Sequence, residues 1–123
     1  MPKSDFYTRD NANNGIKMPL LAIDGSPTDE FLLIAGIDSD AFIASNAEAM
    51  RGAMLLAEVE DGEVKDSLIR MEKVKLVASL VKGWSFDEEA TEEAVIQFFI
   101  DAPQVMDQVN QKAAQRSEFV KKK

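Results

Sequence analysis

The spacing of apolar positions changes twice along the chain. Two short runs, Leu20–Ile23 and Phe31–Ile37, flank Gly25-Ser26-Pro27-Thr28-Asp29. Glycine and proline set a turn and the runs have strand length, so the pattern predicts a β-hairpin. Pro19 suits the start or the edge of a strand. From Ala41 to about Val59, Ile43, Ala47, Met50, Met54 and Ala57 recur at helical spacing, and Asp61-Gly62 breaks the run. A second helix is predicted over Glu63 to Lys82, with Val64, Leu68, Met71, Val77 and Leu80 on one side. Ile69, Val74, Leu76 and Val81 broaden that side, and Gly83 is the expected left-handed stop. Trp84 then falls at a corner between helices. A short third helix, about Glu92 to Ile100, and a fourth from Pro103 to about Arg116 complete the pattern.

Cap chemistry agrees with these limits. Asp38 or Ser39 can accept from the free amides of the first helix, and Ser85 or Thr91 from those of the third. Pro103 fits a first helical position, where its missing amide costs nothing. The first 16 residues are polar and end at the turn signal Asn14-Gly15. The expected fold is mainly α: a bundle of about four helices preceded by a short N-terminal β-hairpin. The expected organisation is a flexible N-terminal arm over 1–16, a single helical domain over 17–120 and a basic tail over 121–123.

Composition narrows the chemistry. The chain of 123 residues has 22 acids against 14 lysines and arginines, a net charge of −8. A surface of that sign repels phosphate and argues against nucleic acid or an anionic membrane as partner. Cysteine and histidine are both absent. Thiol nucleophiles, Ser-His-Asp arrangements and most transition-metal sites are therefore excluded. The run Asp87, Glu88, Glu89, Glu92, Glu93 lacks the oxygen spacing and tight-turn glycine of a calcium loop, and is expected as a solvated, dipole-favoured helix start. No phosphate loop or nucleophile elbow is present, so no enzyme and no cofactor is expected. No apolar run reaches the roughly 20 residues of a membrane span, and the N-terminus has no secretion-signal pattern. Val95, Ile96, Phe98, Phe99 and Ile100 make the third helix apolar over much of its circumference. Phe98, Phe99, Met106 and Val109 are accordingly the candidate protein-binding residues, on a surface expected to self-associate.

In order, a hairpin, "DSDAF", "LVASLVKGW" and "EEAVIQFFIDAPQVMDQVNQKAAQRSEF" resemble the tail assembly chaperones of long-tailed, siphovirus-type bacteriophages. The resemblance covers about residues 18 to 119. It is carried by Asp38-Ser39-Asp40, Gly83-Trp84, the helix start at Pro103 and Phe119. It implies a small helical protein of virion morphogenesis, made in the host bacterial cytoplasm and absent from the mature particle. Such a protein binds the tape measure protein, keeps it soluble, helps recruit tail tube subunits and forms a homo-oligomer. It implies in addition a longer product of ribosomal frameshifting that contacts the tail tube protein, and the codons of Lys121-Lys122-Lys123 are the expected slip region. Two other readings fit an acidic chain of this kind: an inhibitor of a DNA-binding enzyme acting by DNA mimicry, and a minor structural tail protein.

Overall fold

The computed structural model describes residues 1–120; the tail over 121–123 and its expected slip region lie outside the described residues. Five helices surround a three-stranded antiparallel sheet. In chain order they are α1 (Arg9–Asn14), β1 (Ile16–Leu21), β2 (Pro27–Ile34), α2 (Asp40–Leu56), α3 (Gly62–Ala78), β3 (Val81–Trp84), α4 (Glu92–Asp101) and α5 (Pro103–Ala113). Short 3-10 turns at Lys3–Phe6 and Arg116–Phe119 occupy the two ends.

The expectation of a bundle with only an N-terminal hairpin is corrected by β3, which extends the hairpin into a sheet of order β1-β2-β3. The second helix stops at Ala78, four residues short of the expected end. Ser79 turns its hydroxyl back to the Leu76 carbonyl at 2.5 Å. The Leu80 carbonyl then accepts from the Ala35 amide at 2.7 Å, which aligns the following residues with β2. Leu32 faces Trp84 and Leu33 faces Gly83 across that pairing. Gly83 is therefore a strand residue with ordinary backbone angles, not a helix stop, and Trp84 sits in β3 instead of at a corner between helices. The β-branched and aromatic content of "VKGWSF" favours a pleated surface, and this outweighs the helical period that runs through Val81.

Alternation decides which face of the sheet is covered. Met18 and Leu20 of β1 and Leu32 and Ile34 of β2 point to one side and are buried there. Val74, Val77 and Ala78 of α3, Val95 and Phe99 of α4, and Val105, Met106, Val109 and Ala113 of α5 pack over them. Thr91 caps α4 by accepting from the Ala94 amide, and Pro103 begins α5.

The segment over 1–16, expected as a flexible arm, contains α1, and its Ala12 is buried. The Gly36 amide donates to the Ala12 carbonyl, and the Ile37 amide to that of Ala113. Phe119 packs beside Gly36, so both ends of the described chain meet at the end of β2. Gly15 closes α1 at φ 77°, and a Cβ there would lie 2.6 Å from the Ile34 carbonyl oxygen.

Candidate protein-binding surface

The four residues proposed from sequence do not form an exposed face. Phe99 is 1% exposed and Val109 0%, with Met106 at 9%, and all three belong to the core that covers the sheet. Phe98 is half-buried among Trp84, Phe86 and Phe99. The physical reason is the inner face of β1 and β2: Met18, Leu20, Leu32 and Ile34 form an apolar layer on which α4 and α5 pack. The excess of apolar side chains on those helices is absorbed inside the molecule.

The largest group of exposed apolar side chains lies on the α2–α3 hairpin instead. Ser39 starts α2 by accepting from the Phe42 amide, so of the two expected caps Ser39 acts, while Asp38 pairs with Arg116. Asp61 starts α3 by accepting from the amides of Glu63 and Val64. Between these caps α2 carries two rows of residues at alternating three- and four-residue spacing. Phe42, Ser45, Ala49, Gly52 and Leu56 are the less exposed row. Ser45 and Ala49 share a cleft of about 350 Å³ with Leu76 and Ser79, and a Cβ at Gly52 would stand 3.5 Å from Glu72. This row faces α3, in contact range at Gly52 and across an open cleft at Ser45 and Ala49.

The second row, Ile43, Ala47, Met50, Met54 and Ala57, is exposed throughout. At 100° per residue it is centred about 140° around the helix from the first. Met50 is 66% and Met54 77% exposed, and Leu55 beside them is exposed as well. Among the described residues α2 has no buried position. On α3, Val64, Leu68 and Met71 continue toward the hairpin tip the line that Val74 and Ala78 begin in the core, and they too are exposed. Nothing of the folded body reaches that far, so the apolar side of α3 outruns its partner.

The side chains of this surface are aliphatic or thioether. Among the described residues no group of three or more acids is placed to hold a metal ion, and no helix is long and apolar enough to cross a membrane. The perturbed carboxylates lie elsewhere: Asp24, lowered by the Ser26 hydroxyl and amide, in the turn between β1 and β2, and two more at the base of α2. Arg116 above all, with the Thr8 hydroxyl, holds Asp38 below the ordinary carboxylate value, and Arg9 does the same for Asp40. Both arginines bind in fork fashion, at 2.7 and 3.0 Å, and fasten the ends of the chain to the start of the hairpin.

Sequence periodicity found the row at Ile43, Met50 and Met54 as a helical face but gave no sign that it lacks a partner within the chain. The available signal was the other row: Ser45, Ala49 and Gly52 in register mark the side of α2 turned toward α3, which leaves the methionine row on the outside. Compared with protein-family models, with curated proteins and with solved structures, the chain matches none.

Proposed function

We propose that the protein is a tail assembly chaperone of a siphovirus-type phage, acting in the host bacterial cytoplasm. It holds apolar helical segments of the tape measure protein against the α2–α3 hairpin, keeps them soluble, helps recruit tail tube subunits, and is absent from the mature virion. The observation that carries this reading is the exposed row Ile43, Ala47, Met50, Met54, Ala57. Its alternation of four- and three-residue steps is the spacing that one helix presents to another.

The resemblance in residue order supplies the identity of the partner, and the row supplies a means of holding it. Methionine side chains are flexible and polarisable, so a methionine-centred row accommodates successive stretches of a long helical client without demanding one sequence. Fully burying a methionine contributes about 1.5–3 kcal/mol, so covering the exposed parts of Met50 and Met54 gives a grip that a growing tail tube can displace. The same row serves self-association, which then competes with the client. The proposal includes a frameshifted longer form that contacts the tail tube protein. No catalytic step belongs to it.

Co-expression with the tape measure protein of the same phage tests the reading. Wild type should carry that protein into the soluble fraction. The double variant Met50→Asp, Met54→Asp should leave it in the pellet while keeping wild-type circular dichroism and a thermal midpoint within a few degrees. A tape measure protein that stays soluble without this chain, or that the double variant rescues equally well, would sink the proposal.

A further inference from the structure

On the side of the body formed by β3 and α4, three aromatic rings stand on edge against one another. Trp84 and Phe86 have centroids 5.3 Å apart, Trp84 and Phe98 5.8 Å, and Phe86 and Phe98 5.3 Å, with planes inclined by 70°, 82° and 67°. Edge-to-face contacts of this kind fix ring orientation. The indole is held further, because its Nε1–H donates to the Glu88 carbonyl at 2.8 Å. All three rings remain partly open to solvent and line a groove of about 450 Å³. Glu88 and Asp101 line the same groove, and Gln97 donates to the Asp101 carboxylate at 3.1 Å. Glu93, one turn before Gln97, extends that line of α4.

The charge around the groove has one sign. Residues 83 to 111 include seven acids (Asp87, Glu88, Glu89, Glu92, Glu93, Asp101 and Asp107) and no lysine or arginine. An apolar occupant would leave these carboxylates crowding one another at the rim, and an acidic one would be repelled. A cation gains twice, from the electron-rich ring faces and from the carboxylates beside them. Among cationic side chains the guanidinium fits best, since it is flat enough to lie on a ring while donating in a fork to a carboxylate.

We propose that the Trp84–Phe86–Phe98 groove is a docking site for an arginine side chain presented by a basic segment of a protein partner. The site lies on the body, apart from the methionine row, and does not depend on the chaperone reading.

The single tryptophan gives one indole cross-peak in a ¹H–¹⁵N spectrum, and that proton is the one bonded to Glu88. The probes are three capped pentapeptides of alanine whose central residue is arginine, norleucine or glutamate. Arginine should move the indole peak saturably in the millimolar range, with norleucine weaker by about tenfold and glutamate without effect. The double variant Glu88→Gln, Asp101→Asn, with its backbone spectrum otherwise retained, should lose most of the arginine response. Added salt should weaken the wild-type response. No shift with arginine, equal binding of norleucine, or an undiminished response in the double variant would overturn the proposal.

Discussion

Helices α2 and α5 are both amphipathic by sequence, yet the fold treats them in opposite ways. The shorter, α5, with 11 residues, buries Val105, Met106, Val109 and Ala113 against the sheet. The longer, α2, with 17 residues, buries none and leans on α3 through small side chains. A regular apolar row thus says that a helix has a face for something; it does not say whether that something belongs to the same chain. What separates the two helices is their neighbourhood. The core is a sheet face with room for α3, α4 and α5, and α2 touches that layer only near its start, through Phe42.

The sharpest break of this contrast is Phe99→Ala. Phe99 fills the body between α4 and the sheet, so its loss should cost about 3–5 kcal/mol in denaturant unfolding. A cost below about 1 kcal/mol would mean that α4 is no better packed than α2 and would erase the distinction.

Next in size is Gly52→Ala in the hairpin. Gly52 has ordinary helical angles, and a Cβ there meets Glu72 at 3.5 Å, a normal van der Waals contact. Alanine should therefore stabilise α2 by up to about 1 kcal/mol. Amide exchange should slow in α2 and leave α5 unchanged. Equal slowing in α5 would show that hairpin and body open as one unit.

The smallest effect concerns pH. Asp38 and Asp40 have values lowered from 3.8 by Arg116 and Arg9. A lowered value means that the contribution is present above the unfolded value of about 3.9 and fades as pH falls through the folded one. These pairs are partly solvent-exposed, so only the docking of α1 and of the turn at Arg116–Phe119 should loosen as the pH falls below the unfolded carboxylate value, with the sheet intact. Amide exchange at Ala12 and Gly36, corrected for the intrinsic pH dependence, measures it. Unchanged protection there would leave the fastening to the backbone bonds at Ala12 and Ala113 and the packing of Phe119.

Much of the fold is legible in the residues. The hairpin follows from two apolar runs about Gly25, which stands at φ 88°. The helix starts follow from Ser39, Asp61, Thr91 and Pro103, whose side chains or missing amide act locally. β3 was not legible in the same way. Its pairing with β2 is a contact between residues nearly 50 apart, and Val81 continues the α3 period, so the local signal points to helix until the partner strand is known. The exposure expected of Phe99, Met106 and Val109 was misjudged because helical periodicity does not show that the inner face of β1 and β2, through Met18, Leu20, Leu32 and Ile34, lies under α4 and α5. The groove at Trp84 was half-visible: the aromatics and the acids stand in the sequence, but only β3 brings Phe98 beside Trp84.

The bond between Ala35 and Leu80 has a consequence for how the molecule can change in size. The chain leaves the sheet just after β2 and returns to it at Leu80, 2.7 Å from where it left. Everything between is an excursion whose two feet are tied together. Removing matched seven-residue blocks from the outer halves of α2 and α3, or adding them, would alter its reach by about 10 Å per block. The strands would keep their register throughout. The hairpin is in that sense a telescoping arm on a fixed mount.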